Sequence, residues 1–192
     1  FSLRQKSRYE LAAAYAYAGS AVGVVFAGDL LTVFVCWEMM ALASTLVIWC
    51  AGPGAFGASM RYAIIHLLGG VVLMAGIAAH VTATGSIAFT VMELNSVGTW
   101  LILAGFLLNV GAPPFSAWLP DAYPEASWSG TVFLSAFTTK TAVFVLLRGF
   151  PGNEILIWIG LYMVFYGSVY AMLENDMGRI LAYSIINQVG CM

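Results

Sequence analysis

The chain has 192 residues, of which 61% are hydrophobic and only 8% charged, with a formal net charge of −2 and a mean hydropathy of +0.91. A water-soluble domain carries about 25% charged residues, so this composition excludes a surface that faces water on all sides. No Lys/Arg run suits a nucleic-acid backbone. Cys36, Cys50 and Cys191 stand too far apart for a zinc site, an iron–sulfur cluster or a disulfide framework, so no metal or cofactor is expected.

The sequence starts at Phe1 and stops at Met192 inside a helical pattern, and reads as a piece of a longer polypeptide. Arg4, Lys6 and Arg8 precede the first apolar run, but no small-residue cleavage motif follows, which argues against a signal peptide. A bilayer core needs about 20 apolar residues per helix. Such runs predict spans at 11–28, 30–50, 63–81, 97–112, 128–147 and 155–173, with a seventh beginning near 180 and continuing to 192. Turn chemistry separates them at Gly28-Asp29, Ala51-Gly52-Pro53-Gly54, Gly85-Ser86, Pro151-Gly152-Asn153 and Glu174-Asn175-Asp176. The expectation is an all-α, polytopic transmembrane bundle forming one membrane domain over residues 1–192.

Within the first span, Gly19-Ser20-Ala21-Val22-Gly23 fits close helix packing. Asp29 is placed to cap the second span. Residues 85–95 are too short and polar to cross, and suggest a loop or a short interfacial helix. With Arg4, Lys6 and Arg8 on one side, alternation puts Arg61 and Arg179 with them and only Arg148 opposite, as the positive-inside rule asks.

Two charges lie at membrane depth. Glu38 falls about nine residues past Asp29, roughly 13 Å in at 1.5 Å per residue, and Lys140 sits in the middle of the run from Trp128 to Leu147. A charge at the bilayer centre costs about 2.5–3.5 kcal/mol on insertion scales, and such residues usually face a bundle interior or a wet path. Ser135, Thr138, Thr139 and Thr141 surround Lys140 with hydroxyls able to order water or hydrogen-bond an ammonium. The plainer alternatives are a static Glu38 held by a hydroxyl or ion pair, and a Lys140 that snorkels to an interface.

Gly111-Ala112-Pro113-Pro114 is a further interruption. Two prolines remove two backbone donors and push the preceding residue out of the helical region, so the helix from Val97 is expected to break at Pro113 and Pro114. The break is either a loop outside the membrane or non-helical backbone lining a wet cavity, as in transporters with discontinuous helices.

Four stretches together resemble one known family. They are Asp29-Leu30-Leu31-Thr32-Val33-Phe34-Val35-Cys36-Trp37-Glu38-Met39-Met40, then Gly111-Ala112-Pro113-Pro114-Phe115-Ser116-Ala117-Trp118-Leu119-Pro120-Asp121-Ala122, then Phe137-Thr138-Thr139-Lys140-Thr141-Ala142 with Leu147-Arg148, and Asn175-Asp176-Met177-Gly178-Arg179-Ile180-Leu181-Ala182-Tyr183-Ser184. In this order the chain is identified as a member of the antiporter-like membrane subunits shared by Mrp-type cation/proton antiporters, complex I and membrane-bound hydrogenases, with the Mrp D-type subunit the nearest flavour.

The resemblance implies a fold with two inverted five-helix repeats, each with one broken helix, of which residues 11–147 would form the first. It implies a proton relay through Glu38 and Lys140, cation/proton exchange with Na+ or K+, partner membrane subunits and a bacterial cytoplasmic membrane. It also exposes a departure: the complex I-type lysine nine positions before the tryptophan of Trp118-Leu119-Pro120-Asp121 is here Asn109. His66, on the neighbouring span, is a candidate substitute because imidazole titrates near neutrality; the alternative is a packing residue. Asn109 itself could hold a cation or water through its amide oxygen. His80 is either an exit residue or interfacial decoration. Asp121 and Glu125 read as interfacial carboxylates, and Glu174, Asp176 and Arg179 as a charge cluster with a possible ion pair.

Rival classes follow from the same residues. The chain could be the proton-translocating subunit of an NADH-quinone oxidoreductase or hydrogenase complex, or a non-conducting structural homologue, for which Asn109 speaks. A haem- or quinone-binding redox subunit is disfavoured, because His66 and His80 are the only histidines and each haem would want two axial ligands. No catalytic centre of the chain's own is expected.

Overall fold

The computed structural model describes residues 7–192. Arg4 and Lys6, part of the expected positive terminus, lie outside the described residues. Among the described residues eight α-helices follow one another: α1 (Arg8–Phe26), α2 (Leu30–Trp49), α3 (Phe56–Thr84), α4 (Val97–Val110), α5 (Trp118–Ala122), α6 (Trp128–Gly149), α7 (Glu154–Leu173) and α8 (Met177–Gly190). There is no strand among these residues, only an isolated bridge between Asp29 and Ala88.

Helix starts are set by side chains that satisfy the free N–H groups of a first turn. Ser7, Asp29, Ser96, Ser127 and Asp176 each cap the helix that follows by accepting a backbone hydrogen bond. Asp29 accepts from the Thr32 hydroxyl at 2.7 Å and from its amide at 2.8 Å, and these bonds hold its carboxyl below the usual carboxylate range. Gly85 ends α3 with φ +71°, a left-handed conformation that glycine adopts without a Cβ penalty.

α3 begins seven residues before the expected span. Pro53 starts a 3-10 turn that feeds straight into it, and the polar Ser59 and Arg61 are its first turns, at the membrane edge. It runs 29 residues. The segment between α3 and α4 is not helical. It crosses the far end of the bundle, where the Leu30 amide donates to the Ile87 carbonyl (2.8 Å) and the Met92 amide to Gly149 (2.7 Å). Arg148 pins this loop: its Nη1 donates to the Ala27 carbonyl at 2.6 Å, and its guanidinium lies 4.6 Å from the centre of the Phe89 ring.

Among the described residues five segments are, by length and composition, long and apolar enough to cross a bilayer: Leu30–Trp49, Pro53–Thr84, Val97–Ala122, Trp128–Gly149 and Glu154–Leu173. The 19-residue α1 is diluted by Arg8, Glu10 and its alanines and tyrosines, and the 14 residues of α8 reach about 21 Å against the 30 Å of a hydrocarbon core.

Small residues bring α3 and α4 into backbone contact. A Cβ on Gly76 would meet the Ile102 amide at 2.6 Å, one on Gly98 the His80 amide at 2.6 Å, and one on Gly105 the Leu73 Cβ at 2.8 Å. In the Gly19–Gly23 string only Gly23 does such work, against Cys36 Sγ; Gly19 faces open space. The core is aromatic and continuous, with Tyr17, Trp37, Tyr62, Phe106, Trp118, Tyr123 and Phe150 fully buried. α7 buries only Met163 and Gly167, leaving Trp158, Phe165 and Leu173 exposed, as suits a helix facing apolar surroundings.

Candidate functional site

α4 stops at Val110, and Gly111 takes φ +78° to turn the chain. After Pro113 and Pro114 come a 3-10 turn, Phe115–Ala117, and the short α5. The carbonyls freed by the missing helical turn are recovered locally. The Ala112 amide donates to Leu107 at 3.2 Å, and the Trp118 indole Nε1 donates to Leu108 at 3.3 Å. Arg61 fixes the far side of the break with a two-pronged pair to Asp121, Nε–Oδ2 2.7 Å and Nη2–Oδ1 2.8 Å. Asp121 therefore orders the segment after the break.

Trp118 is placed by these contacts over His66, with ring centres 4.6 Å apart and edge to face. His66 stacks on its other side against Tyr62 at 4.0 Å. It is buried, as is Asn109 beside it on α4. Neither His66 Nε2 nor either amide atom of Asn109 makes a hydrogen bond of ordinary geometry.

One turn further along α3, Gly69 and Gly70 separate two polar groups. A Cβ on Gly69 would lie 3.3 Å from Asn109 Oδ1, and one on Gly70 would collide with the Glu38 carboxylate, whose Cδ is 2.7 Å away. Glu38 and Asn109 therefore flank the same turn of α3 from α2 and α4. Glu38 Oε1 is buried without a hydrogen-bond partner, as are Thr139 Oγ1 on α6, Ser116 Oγ in the turn after the break, and Trp37 Nε1. Leaving a buried polar atom unpaired costs about 1–3 kcal/mol. A cluster of them inside a membrane bundle calls for a functional or hydration reason.

Lys140 follows Thr139 and is half-buried. It forms no ion pair among the described residues, where the two pairs are Arg61–Asp121 and Arg179–Glu174, the latter at 3.8 Å. Glu38 and Lys140 are thus not joined directly. Ser135 is not brought to the site: its hydroxyl turns back to the Val132 carbonyl at 3.0 Å.

Sequence reasoning missed a set of hydroxyls. Tyr17 from α1 bonds Thr138 through both its Oγ1 and its amide, the latter at 2.7 Å. Tyr62 donates to Ser44 Oγ at 3.0 Å and lies 3.4 Å from Thr138 Oγ1. Tyr123 donates to the Leu134 carbonyl at 3.0 Å and also lies beside Thr138. Tyrosines more often decorate interfaces, so the one available signal is weak: Tyr17 falls inside a predicted helical run, and Tyr62 stands one residue before another. Glu10 is a second residue that the sequence does not single out. It is buried, accepts from Ser127 Oγ and from Ser129 Oγ at 3.2 Å, and ties the start of α1 to that of α6.

A cavity of about 450 Å³ lies elsewhere, between α4, α6, α7 and α8, lined by apolar side chains such as Leu107, Val143, Leu146 and Met163. No group of three or more His, Cys, Asp or Glu side chains that could hold a metal ion occurs among the described residues.

Three comparisons bear on this arrangement. The chain is 30% identical over 200 residues to NADH-quinone oxidoreductase subunit M of Escherichia coli K12, covering 90% of this chain and 39% of that protein. It is 30% identical over 191 residues to the D-type subunit of the Na(+)/H(+) antiporter of Alkalihalophilus pseudofirmus, covering 88% of this chain and 38% of that one. It therefore spans about two fifths of the length of these relatives. Its fold matches a chain of respiratory complex I from Thermus thermophilus with a TM-score of 0.88 and 24% identity, over 98% of this chain and 45% of that one. The family described as NADH:quinone oxidoreductase/Mrp antiporter, transmembrane, matches residues 27–192, and with the broken helix, the half-buried Glu38 and the matching fold in place, the chain belongs to that family of integral membrane, antiporter-like subunits.

Proposed function

We propose that the chain is the proton-conducting part of a cation/proton antiporter-like subunit within a multisubunit membrane complex. The observation that carries this reading is the set of buried polar atoms on Thr139, Asn109, His66 and Glu38 that make no hydrogen bond of ordinary geometry, inside a bundle whose outer face is apolar. Groups of this kind are the lining that ordered water needs, with two or more polar partners per molecule. Glu38 acts as the proton-accepting carboxylate and Lys140 as the cationic relay group. His66 and Asn109 bridge them, taking the place of the lysine that the complex I-type pattern puts at position 109. Thr139 contributes a hydroxyl to the passage, the Pro113-Pro114 break lets non-helical backbone line it, and Ser135 is left outside it.

The exchanged ion is Na+ or K+ if the assembly is of the Mrp kind. In an NADH-quinone oxidoreductase or hydrogenase assembly the same relay is driven by electron transfer in other subunits. The Escherichia coli and Alkalihalophilus relatives are both bacterial proteins, which supports the bacterial cytoplasmic membrane as the site of action. The test is sodium- or potassium-dependent proton movement in inverted vesicles carrying the full-length subunit in its complete complex. Glu38→Gln and Lys140→Met are each expected to slow it by about tenfold or more per assembled complex. Wild-type rates in both would make the subunit a non-conducting structural homologue.

A further inference from the structure

Hydrogen bonding runs out unevenly at the end of α4. The Leu107 carbonyl takes the Ala112 amide at 3.2 Å, and the Leu108 carbonyl takes the Gly111 amide and the Trp118 indole, each at 3.3 Å. Helical geometry would bond the next two carbonyls, of Asn109 and Val110, to amides four residues on, at positions 113 and 114. Both positions are proline, which has no N–H to give. The Phe115 amide does not stand in for them, since it donates to Ala112 at 2.9 Å. Two neighbouring carbonyls therefore end α4 without helical donors. They do so in the interior, where Asn109 and Val110 are 0% and 3% exposed.

Two further groups belong to this end of the helix. The Phe115 amide and the Trp118 indole fold residues 113–117 back under α4, and within that stretch only Ser116 is buried, its Oγ without a hydrogen bond. Lys140 lies opposite. The Met92 amide bonds Gly149, which brings the chain entering α4 to the end of α6, so the two helices run antiparallel. Val143 and Leu147 of α6 line one cavity with Leu107 and Val110 of α4. Lys140 shares their helix face, three residues before Val143 and seven before Leu147. It stands one turn nearer the break than Val143, at the level where α4 has ended. It is half-buried and forms no ion pair among the described residues.

We infer that the end of α4 is a binding site for a monovalent alkali cation, formed by the Asn109 and Val110 carbonyls and the Ser116 hydroxyl, with the Lys140 ammonium facing it as a competing cation. This deepens the function proposed above and rests on it for the ion's part in exchange. The carbonyl end of a helix carries about half a negative charge from its aligned peptide dipoles. Carbonyls at unwound half-helix ends are ligands that sodium and potassium accept in place of their water shell. The three oxygens are neutral, whereas a divalent ion asks for carboxylates. Asp121, the nearest acid in the sequence, is committed to Arg61 at 2.7 and 2.8 Å. An anion would meet the wrong end of the dipole. Lys140 and the alkali ion bring the same charge to the same few oxygens, which ties binding of the ion to the charge that Lys140 carries.

The test is equilibrium binding of radioactive sodium, and of rubidium standing for potassium, to the purified complex carrying the full-length subunit, with choline holding the ionic strength constant. The site predicts saturable binding that Ser116→Ala weakens by about tenfold or more. Pro113→Ala returns an amide to the Asn109 carbonyl and is expected to weaken binding likewise. Lys140→Met removes the competitor and should tighten binding by about tenfold or more, while Lys140→Arg, which keeps the charge, should not. Should Ser116→Ala or Pro113→Ala fail to assemble, the contrast between Lys140→Met and Lys140→Arg decides the question. No saturable binding in the wild type, or affinities unmoved by all of these substitutions, would overturn the site; with transport lost in Glu38→Gln, the subunit's proposed function would still stand. Wild-type transport in both Glu38→Gln and Lys140→Met would remove that function, and the site's part in exchange with it.

Discussion

Gly70 decides where the Glu38 carboxylate can stand. Any Cβ at that position would occupy the space of Oε1, with Cδ at 2.7 Å, so the carboxylate rests on bare α3 backbone. Gly70→Ala is therefore expected to displace the Glu38 carboxylate at little packing cost, because only the end of a flexible side chain has to move, and to depress proton movement further than any loss of assembled complex explains. Gly69→Ala, whose Cβ would meet Asn109 Oδ1 at a tight but tolerable 3.3 Å, should be milder on both counts. Vesicle transport set against the amount of assembled complex separates the two effects. At this scale the charged residues were legible and the permissive ones were not. Glu38 and Lys140 announce themselves because a charge in an apolar run is costly. Gly70 gives no such signal, since which side chain a glycine admits depends on a helix 32 positions away in sequence.

Among the elements, the interrupted helix shows how a membrane bundle tolerates a break. Two prolines and Gly111 end α4, and the carbonyl of Leu108 accepts both the Gly111 amide and the Trp118 indole, each at 3.3 Å. Trp118→Phe keeps an aromatic ring over His66 but removes one of that carbonyl's two donors. The expected cost is about 0.5–1.5 kcal/mol, visible as a lower thermal midpoint of the purified complex and as faster proteolysis between residues 111 and 117. Unchanged stability would mean that the Gly111 amide alone satisfies the carbonyl. The break itself could be read from Pro113 and Pro114, because ring geometry acts locally. The closure by Trp118, and the Arg61–Asp121 pair that holds α5 in place, could not, because both join residues that only the fold makes neighbours.

Over the whole molecule, charge divides by end. Arg8, Arg61 and Arg179 lie at the helix ends that α5 joins, and Arg148 lies at the other, bound to Ala27. In a background with Cys36, Cys50 and Cys191 replaced by serine, single cysteines at Trp128 and Phe26, which are 91% and 84% exposed, should react with a membrane-impermeant maleimide from opposite sides. Trp128→Cys should be labelled in inverted vesicles and Phe26→Cys in intact cells; labelling of both from one side would break the alternation of α1 through α6. The sequence by itself determined the all-helical membrane class, the positions of most turns, the break after α4 and the two charges at depth, because hydropathy, proline geometry and the cost of a buried charge are properties of short stretches. Only the tertiary structure decided that α3 begins as early as Phe56, that Ser135 turns away, that Glu38 and Lys140 stand apart, and that Tyr17, Tyr62 and Tyr123 meet at Thr138. Those outcomes depend on which helix faces which, and that is fixed by close approach at small residues and by hydrogen bonds between positions as much as 121 residues apart.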